Sequence, residues 1–208
     1  MKGTSHLLVG GVAGLVTSNA LETDPMTTGI LIACGGITGL LPDIDVDGTL
    51  SNKITNTHKF IQTLAQIIGI LLIVYSFVEG TGTEKWYGMG TGAGIIALST
   101  FITRRHMLTV SGVGVLIGGF MLQENWLFLL GIYIIVASFV PHRSYTHSIL
   151  GIVFFGVIAR QFEASIGIEG IFIASLAGYA SHLIGDMKFL PINKRGVKLL
   201  LPFSKMEL

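Results

Sequence analysis

Charge is scarce in this chain. Asp, Glu, Lys and Arg make up 12% of its 208 residues, about half of the ~25% usual in a soluble domain. So few ionic groups argue against a single soluble core and for burial in lipid. Cysteine is limited to Cys34, which excludes a disulfide framework and leaves the redox compartment unread; set in an apolar stretch, it reads as a small buried residue at a helix contact. The formal net charge is only +1, so bulk basicity offers no argument for nucleic acid as a partner. No G-x-G-x-x-G or Walker pattern follows a strand, which removes the usual phosphate cradles. Neither a G-x-S-x-G elbow nor a reactive cysteine offers a covalent route to hydrolysis.

What the chain has in abundance is apolar sequence. Half of its residues are hydrophobic and the mean hydropathy is +0.72. About eight apolar segments follow one another, at 7–21, 26–41, 60–78, 86–103, 107–122, 126–141, 148–162 and 170–185. Continuous runs without period-2 alternation indicate helices and not barrel strands. The expectation is an all-α, polytopic membrane helix bundle forming a single domain over 1–208. Most runs fall at or below the ~20 residues needed to span a hydrocarbon core upright, so half-helices and buried bundle helices are compatible with the pattern. Glycines spaced by four, at Gly10/Gly14, Gly35/Gly39, Gly88/Gly92, Gly90/Gly94 and Gly114/Gly118, suit close helix packing.

If each run crosses the bilayer, all six histidines emerge on one side, together with Asp43, Asp45, Asp47 and Asp186. That side also receives 11 of the 13 Lys and Arg residues, leaving only Lys85 and Arg160 opposite. The positive-inside rule then makes the histidine face cytoplasmic, with both termini inside an inner or cytoplasmic membrane. A competing parse takes Lys2, the run Leu7–Val16 and Ser18-Asn19-Ala20 as a cleaved signal peptide. The Gly-rich run and the second apolar segment close behind it favour retention. The tail 187–208 mixes Lys188, Lys194, Arg195 and Lys198 with Phe189, Leu190 and Leu199–Leu201. Such a mixture suits a basic interfacial segment against lipid head groups, or an ordinary positive-inside anchor.

Three constellations carry the chemistry. In Leu41-Pro42-Asp43-Ile44-Asp45-Val46-Asp47-Gly48, Pro42 stops a helix and alternate spacing aims Asp43 and Asp45 the same way. Two carboxylates so placed repel unless a cation lies between them. Ile54 stands where an EF-hand loop needs its bidentate Glu, so a calcium loop is rejected; taken alone, the stretch also reads as a helix-ending turn. In Pro141-His142-Arg143-Ser144-Tyr145-Thr146-His147-Ser148, the two histidines can converge if His142 lies in a turn and His147 opens the next helix, with Ser144 or Thr146 as its cap. Arg143 between them can hold a phosphate or carboxylate in bidentate fashion. In Ser181-His182-Leu183-Ile184-Gly185-Asp186, His182 and Asp186 are i, i+4 and share a helix face. His6, just before an apolar helix, can join the same cluster, whereas His58 and His106 read as solvated or facing head groups.

These elements resemble one family. A histidine before a Gly-rich helix, then Leu-Pro-Asp-Ile-Asp, His-Arg-x-x-Thr-His-Ser and Gly-Tyr-x-Ser-His-Leu-x-x-Asp occur here in the order seen in the YdjM-like membrane-bound, metal-dependent hydrolases. The resemblance implies a metal site at His6, Asp43, Asp45, His142, His147, His182 and Asp186. Departures from the family pattern are Val46, where many relatives carry a further His, Ser144 in place of a common Gly, and Met187-Lys188-Phe189, which lacks a Thr.

The expectation built on both readings is a metal-dependent hydrolase at the cytoplasmic membrane surface. His142, His147, His182 and Asp186 would ligate one divalent metal, and His6 and Asp43 would complete a second site. Asp45 would serve as general base or bridging ligand, and Arg143 would steady developing negative charge. Zinc suits imidazole with carboxylate, and manganese or iron suit the carboxylate-rich part. Membrane lipids are the expected partners, and a phospholipid or lipid-linked phosphoester the expected substrate. A transporter of metal ions or protons is a second reading, disfavoured because its ionisable groups would sit mid-span. A membrane regulator with a structural metal is a third.

Overall fold

The computed structural model describes residues 3–44, 57–188 and 196–207. Among them the chain is helical without strands. The α-helices are α1 (Gly3–Ala20), α2 (Pro25–Thr38), α3 (Thr57–Val78), α4 (Gly82–Ser99), α5 (Arg104–Leu122), α6 (Asn125–Phe139), α7 (Ile149–Ile166) and α8 (Ile171–Gly185). Two short 3-10 turns, Leu41–Ile44 and Tyr145–His147, follow α2 and precede α7. The eight apolar runs correspond one to one with the eight helices. Ends differ by a few residues because polar side chains such as Glu84 and Lys85 are accepted in the first turn of α4.

Three stretches are long and apolar enough to cross a membrane by length and composition, Lys59–Glu79, Arg105–Leu122 and Ile149–Ile166. Helices α2, α6 and α8 are shorter and equally apolar. Exposed apolar side chains include Leu8, Val12 and Val16 on α1, Ile70 and Leu71 on α3, and Phe120 and Met121 on α5. Continuous apolar exposure of this kind is the mark of a lipid-facing surface and not of a monomer in water.

The chain groups into two compact units, Met1–Lys53 with Leu108–Leu208, and Ile54–Met107. In the smaller unit α3 and α4 pack at a backbone crossing, where a Cβ on Gly92 would lie 2.6 Å from the Gly69 carbonyl oxygen. In the larger unit α1, α2 and α8 meet at glycines: a Cβ on Gly10 or on Gly178 would fall onto the Gly35 carbonyl, and one on Gly14 onto that of Leu31. The spacing of four therefore marks a packing face at Gly10/Gly14 and Gly35. It does not do so everywhere: a Cβ on Gly90, Gly94 or Gly114 meets nothing within 4 Å. On α5 the close approaches to α6 fall instead at Gly112, against Ile135, and Gly119, against Phe128. Spacing puts glycines on one face; only the neighbour's position decides whether that face is covered.

Gly35→Val should consequently lower stability by about 1–3 kcal/mol, the cost of overpacking a closed contact, while Gly94→Ala leaves it unchanged or slightly raised. Thermal unfolding in detergent measures both.

Local chemistry sets the ends that matter. Asp24 caps α2, its Oδ1 accepting from the Met26 amide at 2.9 Å, with Pro25 in the first helical position. Gly167 and Gly170, at φ +74° and +93°, turn the chain between α7 and α8, and Glu163 Oε2 accepts from the Phe172 amide at 2.8 Å. Ser148 caps α7, accepting from the Gly151 amide at 3.2 Å. Neither Ser144 nor Thr146 does this: a 3-10 turn inserts before the helix, so His147 closes that turn instead of opening α7. The tail is partly folded in. The Ile149 amide donates to the Leu199 carbonyl at 2.9 Å and Val197 is fully buried, whereas Phe203 stands exposed.

Candidate metal centre

Four helix ends meet at one end of the larger unit. His6 comes from the first turns of α1, Asp43 from the 3-10 turn after α2, and His147 from the turn before α7. His182 and Asp186 come from the C-terminal end of α8. All five are buried, with His147 and His182 at 0% exposure. Their polar atoms converge. The Nε2 atoms of His147 and His182 are 3.2 Å apart, and each lies 3.6 Å from Asp43 Oδ1. Asp186 faces the same point, with Oδ2 3.8 Å from His182 Nε2 and 4.0 Å from His147 Nε2, and Oδ1 3.3 Å from His6 Nε2. The His6 ring stacks on His182 with centroids 3.8 Å apart. His142, a third exposed, reaches Asp43 Oδ1 at 4.0 Å.

These spacings suit a cation. Ligand atoms at ~2.0–2.1 Å from a tetrahedral zinc are about 3.3 Å from one another. The tautomers agree: His182 Nδ1–H donates to the Gly39 carbonyl at 2.7 Å, which turns the Nε2 lone pair towards the oxygens of Asp43 and Asp186. A lone pair aimed at two carboxylates is repelled unless a cation or a proton stands between them. An imidazole held by a backbone carbonyl on its far nitrogen is also the usual posture of a metal-ligating histidine. Two groups of three donors could each hold an ion, His6 with His182 and Asp186, and Asp43 with His142 and His147.

Burial alone pushes the Asp43 carboxyl up, but its hydrogen bond with His147 and the charges of His182, His147 and His142 outweigh this and hold it down to about 2. Burial likewise opposes ionisation of Asp186, and contact with His6, with His182 and with Arg143 keeps it well below the usual carboxylate range. Both carboxylates are therefore anionic at neutral pH.

Support for His147 comes from deeper in the bundle. Thr146 Oγ1 lies 3.1 Å from His147 Nδ1. The Tyr179 hydroxyl donates to the Thr146 carbonyl and stands 3.0 Å from that of Tyr133, and the Tyr179 ring stacks on Phe155. This chain of contacts pins the 3-10 turn against α6 and α8. Tyr179→Phe should weaken metal affinity about 10–100-fold, as loss of an outer partner does, with helix content unchanged; isothermal titration with zinc reads it.

Six of the seven residues marked by the sequence as metal-site positions are thus brought together, and Asp45 lies outside the described residues. Their division differs from expectation. His142 and His147 group with Asp43, and His182 and Asp186 with His6, because the turn before α7 faces the turn after α2 while α1 lies along α8. Arg143 is at the rim, with Nη2 donating to Asp186 Oδ2 at 3.0 Å, and its φ of +60° is a left-handed conformation uncommon for a non-glycine residue. His106 is exposed, hydrogen-bonded to the Phe101 carbonyl, and the His58 side chain lies outside the described set. The supporting groups Gly39, Tyr133 and Thr146 were missed. Thr146, in the His-Arg-x-x-Thr-His-Ser run, and Tyr179, in the Gly-Tyr-x-Ser-His run, stood in motifs that could have signalled their parts.

Fold and cluster together define a helical, apolar protein with a buried His/Asp centre able to hold a metal ion. The chain belongs to the YdjM inner membrane protein family, whose family model it matches over residues 1–208. No curated protein and no solved structure matches it.

Proposed function

We propose that this protein is a multi-pass inner-membrane hydrolase, metal-dependent and directed at a phosphoester carried by a lipid or similar amphiphile. The observation that carries this reading is the convergence of five buried donors on a point bordered by Arg143. The Lys/Arg bias sets that point at the cytoplasmic surface, with both termini on the same side. A divalent ion held by His6, His182 and Asp186, with a second at Asp43, His142 and His147, would acidify a water and polarise a phosphoryl oxygen. Zinc fits the four imidazoles best, and manganese or iron would fit the carboxylates.

The chain's own residues supply the rest. Arg143 donates to Asp186 and is partly exposed at the rim, where a guanidinium can meet an anionic oxygen of the substrate. His142 shares that rim, its Nδ1 4.0 Å from Asp43 Oδ1. The enclosure of His147 and His182 excludes bulk water from the far side of the centre.

Purified protein supplied with zinc should retain it through desalting, and release phosphate from phospholipid or lipid-linked phosphoesters in a chelator-sensitive manner. Failure to retain any divalent ion, or release indifferent to chelator, would overturn the reading. Acidification gives a second measurement. Asp43, lowered from 3.8 to about 2, stabilises the fold fully above pH 3.8 and loses that contribution only as pH falls through about 2. Metal retention should fall on acidification, because protons compete for the ligand atoms. Equilibrium dialysis across pH reads it, and retention indifferent to pH would contradict ligation by imidazole and carboxylate.

A further inference from the structure

Two imidazoles at the heart of the cluster are held by different chemistry on their far nitrogens. His182 Nδ1 faces the Gly39 carbonyl at 2.7 Å. A carbonyl oxygen only accepts, so that nitrogen carries the proton and Nε2 of the neutral ring is a lone pair. His147 Nδ1 faces the Thr146 hydroxyl instead, at 3.1 Å. A hydroxyl has one proton and two lone pairs and can meet either form of the ring. On the near side the two Nε2 atoms lie 3.2 Å apart, within hydrogen-bond reach. Two lone pairs at that distance repel, so a metal-free pair of neutral rings needs a proton on His147 Nε2. A bound ion needs the opposite, a lone pair on each ligating Nε2 with the His147 proton on Nδ1.

We infer that Thr146 is a positioning residue whose hydroxyl lets His147 exchange tautomers as a metal binds, while His182 keeps one throughout. In the metal-free protein the hydroxyl donates to Nδ1; around an ion it accepts from Nδ1–H. The ring gives up one proton at Nε2 and takes one at Nδ1, so its charge is unchanged. Only the hydroxyl proton needs to turn, because the backbone of this 3-10 turn is fixed from two sides. The Tyr179 hydroxyl donates to the Thr146 carbonyl, and α7 runs so close that a Cβ on Gly151 would fall onto the Tyr145 carbonyl. Thr146, His147 and Tyr179 are all buried, where a ring nitrogen without a partner is costly. Thr146 thus keeps His147 hydrogen-bonded with and without the ion, so an ion can come and go while the turn stays folded. The inference rests on the metal centre proposed above and not on the hydrolysis proposed there.

The test is nitrogen NMR of the full-length protein with isotope-labelled histidine in nanodiscs, at pH about 8, above the ordinary imidazole range, with zinc as the ligand. Signals are assigned by their loss in His147→Gln and His182→Gln. His147 should carry its proton on Nε2 before zinc is added and on Nδ1 afterwards, and His182 on Nδ1 in both. Thr146→Val keeps the shape of the side chain and the carbonyl that Tyr179 uses, but leaves Nδ1–H without the hydroxyl. Its zinc affinity, read by isothermal titration, should fall about 10–100-fold. Thr146→Ser keeps the hydroxyl and loses only a methyl, and should bind zinc close to the wild-type level with the same exchange. A packing role would give the reverse order, with Val tolerated better than Ser. Zinc binding with His147 in one tautomer throughout, or with both its nitrogens protonated before zinc is added, would overturn the inference and leave the metal centre standing. These wild-type spectra decide the matter even where a variant does not fold. Absence of zinc binding in the wild type would sink the centre and the tautomer exchange together. Exchange and rescue by Ser without chelator-sensitive phosphate release would sink the hydrolase alone.

Discussion

His182→Ala is expected to abolish tight metal binding altogether. This imidazole is the centre of the cluster: its Nε2 faces His147, Asp43 and Asp186 at 3.2, 3.6 and 3.8 Å, and its ring carries His6. Truncation removes a donor near both candidate groups and leaves a cavity beside two buried carboxylates. Loss of a buried side chain of this size costs about 2–5 kcal/mol, so the variant should also unfold at lower temperature. Elemental analysis after desalting should find the divalent ion reduced at least 100-fold, with helical circular dichroism preserved, and chelator-sensitive phosphate release should vanish with it. His106→Ala, by contrast, should retain full metal, since that side chain is exposed and bonded to a local carbonyl. Equal metal content in both variants would remove His182 from any metal centre.

The second large effect concerns Arg143. Arg143→Ala should leave the metal in place and lower kcat/KM about 10²–10³-fold, the usual cost of losing a donor that meets charge developing in the reaction. Arg143→Lys should recover little of it, because a point charge does not reproduce a planar fork with two parallel donors. The readout that separates this from a structural part is the pattern across substrates. A phosphate-binding arginine affects anionic substrates and the inhibition constant of inorganic phosphate together, whereas a strut for Asp186 would lower metal affinity first. Loss of metal in Arg143→Lys with unchanged phosphate inhibition would assign the residue to the strut alone. Arg143→Gly offers a further comparison. It relieves the φ of +60°, so any stability it gains, set beside its loss of activity, measures how much strain the functional side chain carries.

Much of the fold was legible because lipid imposes a simple code. A helix satisfies its own backbone, so an apolar run without alternation can only be a helix, and each of the eight runs became one. The polar residues left over collect at helix ends, which is why His6, Asp43, His142, His147, His182 and Asp186 could be singled out from composition and motif alone. Periodicity carried less. It related His182 to Asp186 through one helix turn, but it had no means of relating His147 to Asp43, which are separated by more than a hundred positions and meet only because α2 and α7 end at the same level. The cap of α7 was misplaced for a similar reason: Ser144, Thr146 and Ser148 are all competent caps, and the choice fell to Ser148 once Tyr179 pulled Thr146 into a 3-10 turn.

The sequence by itself determined the class of structure and the residue types available for a metal. Those follow from hydrophobicity, charge bias and local spacing, all of which are properties of the chain before it folds. Tertiary structure decided how the donors are partitioned, which tautomer His182 presents, and that Arg143 reaches Asp186 at the rim. These depend on where the Gly39 carbonyl and the ends of α1, α2, α7 and α8 come to rest. Close packing at Gly10, Gly35 and Gly178 sets those positions, and no local rule along the chain encodes them.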